Sequence, residues 1–424
     1  MSKSFIFKVG AISSLKVIAA LLVFILNLLV VKVSSAYDAG VFFWNLTLLT
    51  LLSVVARLGY ERVLIKYGSI YLSQGANDKL KSLCFMVFKK IFFVIGALLV
   101  LGLLFQMYFF EAVFPSSSSD VFGVMLLCLP FLTFVTLFSN VFQGLKRPSI
   151  SVFLLNIAIP LFCVIPLGLY YLNKEVLNAQ SISRLYLTAS FATFCLGALA
   201  IMASDTFGKG YSTSNHTKER AASKKFYVAI LMTQIIQWGT LIISGYYLEA
   251  PDLAYLNVAQ RVAMLSNILL IGINTIISPY IAQHINDSNL EKLRGLVKKT
   301  SQILIIVSVS FLFLLFFYVE EILGFFGADF KTNSNIVLII GVAQAFNVLT
   351  GSVGIMLMMG NKETFMRNNL MFCAGLSVFL AIALVSNWGI VGAAYAVAIP
   401  IVLQNVIAFL GVNKFFSINT LKFW

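Results

Sequence analysis

Long apolar runs recur along the chain, each followed by a short polar or turn-forming connector. They cover about 11–31, 41–63, 88–110, 121–142, 150–171, 184–204, 226–248, 254–282, 301–319, 335–358, 370–386 and 388–411. A helix of about 20 apolar residues crosses the hydrocarbon core of a bilayer. Between the runs lie YDAG, PSSSSD, GLKRPS, NKEVLNAQS, EAPD, FGADFKTNSN, GNKET and SNWG, all rich in turn formers or charge. The pattern predicts an all-α integral membrane protein with twelve transmembrane helices. Lys3 and Lys8 precede the first run, and Ser34-Ser35-Ala36 loosely resembles a signal-cleavage site. The run from Ala11 to Val31 exceeds the apolar core of a cleaved signal, so it is expected to remain as the first span.

Within these runs, polar residues align on single helical faces. The longest such stretch is Asp252 to Ala282, where Asn257, Gln260, Arg261, Asn267, Asn274 and Ser278 recur. At 100° per residue they fall within an arc of about 140°. Ser13, Lys16, Ala20 and Asn27 share a face of the first span, and Thr50, Ser53, Arg57 and Glu61 one of the second. Thr233, Gln237, Thr240 and Ser244 share one of the seventh. Aligned Ser, Thr and Asn either glue helices together, at about 0.6 kcal/mol per bond, or line a wet cavity. Four aligned spans, the first two of each half, favour a cavity.

Lys and Arg set the expected orientation. With the N-terminus cytoplasmic, 22 of the 30 fall on cytoplasmic segments. Only Lys32, Lys174, Arg184 and Lys331 fall on the other side, and Lys16, Arg57, Arg62 and Arg261 lie in or near spans. Both termini are therefore expected in the cytoplasm. The polar, basic segment Ser204–Lys225 divides six spans from six. Gly144-Leu145-Lys146 and Gly360-Asn361-Lys362, Asp38 and Asp252, and Leu58-Gly59 and Ile271-Gly272 pair across it at offsets of 213 to 216 residues. This predicts a duplicated, pseudo-symmetric six-helix unit: an N-terminal half over 1–204, a linker over 205–225 and a C-terminal half over 226–424.

Composition narrows the function. The chain has 424 residues, is 60% hydrophobic and 11% charged, and has a mean hydropathy of +0.95. The net charge of +14 is a topology signal and an attraction to anionic membrane lipid, and no soluble basic domain offers itself to nucleic acid. Two histidines and five cysteines without metal spacing exclude a histidine-based metal or catalytic cluster, so no metal, cofactor or catalytic residue is expected. No GxxxxGK[ST] phosphate loop or GxSxG elbow occurs. The outer loops are too short for a polymerase or lipid-dependent glycosyltransferase.

A charge at membrane depth costs about 3 kcal/mol on insertion scales, so each such residue needs a reason. Lys16 and Arg57 either snorkel to the inner interface or line the cavity, and Glu61 one turn on can neutralise Arg57. Arg261 has no acid one turn away and lies about 10 Å from the outer end of its span. Cations without buried acids suit an anionic ligand, and Arg grips phosphate bidentately. A proton-coupled exporter would bury a carboxylate, for which Glu61 is the nearest candidate. The substrate-lining residues expected are thus Lys16, Asn27, Arg57, Gln237, Asn257, Gln260, Arg261 and Asn274, with Glu61 as a coupling or ion-pair residue.

LGYERVLIKYGS (Leu58–Ser69), AYLNVAQRV and INTIISPYIA (Ala254–Val262, Ile273–Ala282), and the GLKRPS and GNKET turns resemble one family. It is the polysaccharide-transporter branch of the multidrug/oligosaccharidyl-lipid/polysaccharide (MOP) exporters, and within it the O-antigen (Wzx-type) flippases of Gram-negative bacteria. The resemblance runs along nearly the whole chain, through degenerate motifs. It implies a V-shaped MATE-like fold in the inner membrane and alternating access. It also implies undecaprenyl-diphosphate-linked oligosaccharide as cargo for lipopolysaccharide biosynthesis, with a polysaccharide polymerase and a chain-length regulator as partners. The family's cavities are cationic, and Lys16, Arg57 and Arg261 would supply that charge. The related lipid II flippases usually carry two further C-terminal spans, absent before Trp424. The alternative is a cation-coupled antiporter of drugs or small metabolites on the same fold.

Overall fold

The computed structural model describes residues 3–114, 119–204, 215–286, 289–331 and 333–420. Positions 205–214 of the expected linker, including Lys209, and Lys422 lie outside these, as does the Ser13 side chain. The chain forms two compact units, Met1–Leu231 and Met232–Trp424.

The first unit opens with α1 (Lys3–Lys32) and α2 (Ala36–Arg57). Ser35 caps α2: its hydroxyl accepts from Asp38 N–H at 3.1 Å and donates to the Asp38 carboxylate at 2.6 Å. That carboxylate also accepts from Ala179 N–H at 2.8 Å, so Asp38 ties together the starts of two helices. The second span was expected as one run over 41–63. Instead α2 stops at Arg57, Leu58 and Gly59 take left-handed angles (φ 49° and 76°), and α3 (Tyr60–Ser73) starts afresh. Then follow α4 (Asn77–Tyr108), α5 (Phe110–Val113), α6 (Ser119–Gly144) and α7 (Pro148–Val152). A π-turn over Phe153–Ile157 leads into α8 (Ala158–Leu172), then α9 (Ala179–Met202) and α10 (Thr217–Gln234). Tyr60, Val63 and Leu64 of α3 pack with Leu83, Val87 and Ile91 of α4 and Val141 and Phe142 of α6 in one buried core. Gly144 permits this: a Cβ there would lie 2.6 Å from the Leu64 carbonyl.

The second unit continues from α10 through a π-turn (Ile235–Gly239) into α11 (Thr240–Tyr247). The eighth span is two helices, α12 (Ala250–Met264) and α13 (Asn267–Asn286), bent by 47°. Next come α14 (Leu290–Gly324), in which Tyr318 leaves helical angles, and α15 (Ala328–Lys331). A second bent pair, α16 (Ser334–Thr350) and α17 (Val353–Met359), also at 47°, turns at Gly351. The last helical stretch, α18 (Glu363–Phe416), reverses at Gly389 (φ 55°, ψ −136°). A Cβ on Gly392 would run into the Leu384 carbonyl, with its carbon 2.5 Å away, so the chain doubles back there.

Nine described helices are long and apolar enough to cross a membrane, or eleven if each bent pair is one span. The reversal at Gly389 splits α18, which accords with twelve. The described elements are all helical, as expected. All five cysteines are free, and four are buried, as small apolar side chains are.

The two predicted turns share one geometry. Lys146 and Asn361 are both left-handed (φ 57° and 59°), and the next N–H, of Arg147 and Lys362, bonds the carbonyl five residues back at 2.9 Å. Asp38 and Asp252 both sit in the first turn of their helices. The third pairing fails. Leu58-Gly59 is a helix break, whereas Ile271-Gly272 lies inside α13, and the break of that span falls earlier, at Leu265-Ser266.

Candidate functional site

In the first unit most of the polar stripe is satisfied close to home. Asn27, buried on α1, donates to the Val23 carbonyl one turn back at 2.6 Å. Thr47 and Thr50 donate to Phe43 and Leu46 in the same way. Arg57, 9% exposed, binds the Glu61 carboxylate through Nε and donates from Nη1 to Ser53 at 2.6 Å. Thr133 of α6 donates to the same Ser53 hydroxyl at 3.1 Å. Arg57 and Glu61 thus brace the α2–α3 break. Lys16 is half-buried on α1.

This network makes a prediction. Arg57→Ala should destabilise the protein by about 3–5 kcal/mol, because it strands a largely buried carboxylate. The double variant Arg57→Met/Glu61→Leu should recover most of that in thermal unfolding of the detergent-solubilised protein. A double variant as unstable as the single would show that the pair is not the brace.

The second unit differs. Its predicted residues gather where α12 meets the helix before it. The Arg261 guanidinium lies 4.8 Å over the Trp238 ring, a cation–π contact. Gln237 donates to the Met264 sulfur at 3.8 Å. On the same face of α12, Asn257 and Gln260 are 1% and 2% exposed, yet neither amide nitrogen nor amide oxygen of either has a partner among the described residues. Ser244 of α11, fully buried, likewise has an unpartnered hydroxyl. A buried polar group left unpaired costs about 1–3 kcal/mol. Five such atoms on two packed helices form a polar surface that the unit itself does not satisfy.

The remaining polar residues hold the bends. Asn267, just after the α12–α13 break, donates to Gln344 at 2.8 Å and accepts from Asn347 at 3.0 Å. Asn274 accepts from the hydroxyl of Ser352 at the α16–α17 break. Thr350 there donates to Asn405 at 3.4 Å, and its carbonyl accepts from Thr420 at 2.9 Å. Asn274, expected to line the cavity, is thereby engaged in tying two broken helices together.

Residue reading marked the polar face of α12 but not Trp238, which lies under Arg261. One aromatic inside an apolar run carries no mark distinguishing it from a lipid-facing side chain. Among the described residues no group of three or more His, Cys, Asp or Glu could hold a metal.

A chain of bent membrane-length helices in two units, with a neutral polar face beside an Arg–Trp pair, has the architecture of a multi-pass membrane protein. Residues 226–383 match the MatE family model. No curated protein sequence matches the chain. Among solved structures, an inward-facing MATE family multidrug transporter of the MOP superfamily superposes with a TM-score of 0.74 at 11% identity, covering 96% of this chain and 94% of that one. The lipid II flippase MurJ gives 0.73 at 16%, over 95% and 87%. A MOP superfamily transporter from Pyrococcus furiosus gives 0.62 at 12%, over 97% and 95%. At these identities the likeness establishes the fold.

Proposed function

We propose that the protein is a flippase of lipid-linked oligosaccharide. It moves an undecaprenyl-diphosphate-linked O-antigen-type repeat unit from the cytoplasmic to the periplasmic leaflet of a bacterial inner membrane. Transport is by alternating access without ATP hydrolysis, and the protein performs no covalent chemistry. The carrying observation is the α12 face, where Asn257 and Gln260 are buried without partners beside Arg261. A membrane helix keeps such groups only for something polar that visits them. The fold shared with a lipid II flippase supports the reading, as do the Lys and Arg asymmetry and the motifs of the second and eighth spans. In this reading the sugar meets the neutral amides, the diphosphate meets Arg261, and the prenyl tail stays in membrane lipid. A polysaccharide polymerase and a chain-length regulator would use the product.

The MatE match over 226–383 favours one other reading, a cation-coupled antiporter of drugs or small metabolites. The two separate in a strain carrying Arg261→Ala. Flippase function predicts loss of surface polysaccharide and build-up of lipid-linked repeat units, with the protein still inserted. Normal polysaccharide together with altered drug sensitivity would select the antiporter.

A further inference from the structure

We propose that Ser244, Asn257 and Gln260 form a neutral subsite that reads sugar hydroxyls, distinct from the charge carried by Arg261; this rests on the flippase reading above. Trp238 under Arg261 and Gln237 against Met264 show that the π-turn and α11 run antiparallel to α12. Carrying that register along brings Ser244 level with Asn257 to within about one turn. The three side chains therefore lie on facing elements of one unit at similar depth.

Their chemistry selects the ligand. Asn257 and Gln260 each present two amide N–H donors and a carbonyl acceptor, and Ser244 presents one hydroxyl that can do either. None carries charge. The diphosphate between lipid and sugar, esterified at both ends, has no O–H at neutral pH and only accepts, so it would leave both amide oxygens unpaired. A lipophilic cation offers neither donors nor acceptors in number. Neighbouring hydroxyls on a sugar ring each donate and accept, and they can satisfy amide oxygen and nitrogen together. Elsewhere in the same unit Asn267, Gln344 and Asn347 pair with one another. The empty valences at 257 and 260 are thus a local feature, not a general property of the unit's amides.

The test uses the full-length protein in lipid nanodiscs and three probes: bare undecaprenyl diphosphate, the same lipid carrying the native strain's repeat unit, and tetraphenylphosphonium. The wild type is expected to bind the glycosylated lipid at least about tenfold more tightly than the bare one, the worth of one net hydrogen bond. The triple variant Ser244→Ala/Asn257→Ala/Gln260→Ala should keep bare-lipid binding while that ratio collapses towards one. A second readout excludes a packing role: Asn257→Leu and Gln260→Met should leave the Tm of the ligand-free protein unchanged or raised, because they remove unpaired groups. A ratio unchanged in the triple variant, equal binding of both lipids by the wild type, or a lowered Tm in the apolar variants would each overturn the subsite and leave the flippase reading standing. Wild type that binds tetraphenylphosphonium and neither lipid would overturn both.

Discussion

Gly59→Ala is expected to destabilise the protein by about 2–5 kcal/mol and to abolish export, although it adds one methyl group. Gly59 has φ +76°, where an L side chain is strained. A Cβ there would also lie 2.6 Å from Tyr227 N and press on the Ser223 carbonyl oxygen. Those are backbone atoms of α10 and cannot swing aside as a side-chain tip can. Either α10 lifts off the α2–α3 break, or the break refolds and pulls Arg57 from Glu61. Gly272 is the control. It lies inside α13 with nothing within 4 Å of its Cβ position, so Gly272→Ala should be neutral or stabilise by up to about 1 kcal/mol. Thermal unfolding of the two variants in detergent decides. Equal effects would show that the contact with α10 is not what Gly59 is for.

That pair of glycines shows what the sequence could and could not convey. Hydropathy found the spans because bilayer crossing imposes length and apolarity on consecutive residues. The turns at Lys146 and Asn361 were legible because their geometry is local. The breaks at Leu265-Ser266 and Gly351 were not, since a hydropathy window averages over them. What holds them is distant in sequence, as in Asn267 with Gln344 and Asn274 with Ser352. Polar periodicity gave the face of each helix but not the partners on that face. Asn27 and Asn257 look alike as letters, yet one donates to its own helix and the other is buried unpaired. Glu61 as the partner of Arg57 was readable, because four residues is one helical turn.

Removing the Glu219 carboxylate should loosen the first part of α10, at a cost of about 2–5 kcal/mol for two charge-assisted hydrogen bonds lost from a buried site. Glu219 and His216 are each 4% exposed. The Tyr71 hydroxyl donates to Glu219, His216 Nδ1 lies 3.3 Å from the same carboxylate oxygen, and His216 Nε2 lies 3.1 Å from the Ser82 hydroxyl. Residues of α3 and α4 thus grip the start of α10. Burial, and then the neighbouring Glu219, push Tyr71 above the usual phenol range, so it stays a donor well beyond neutral pH. Glu219→Ala should speed tryptic cleavage after Lys218 and Arg220, while Glu219→Gln, which keeps an acceptor for Tyr71, should recover part of the protection. Wild-type cleavage rates in Glu219→Ala would remove this grip from the account. The cluster and Gly59 hold the same stretch of helix, one at its first turn and one against Ser223 and Tyr227. Their effects should therefore be non-additive: once Gly59→Ala has displaced α10, Glu219→Ala has little left to release, and the double variant should cost clearly less than the sum of the singles.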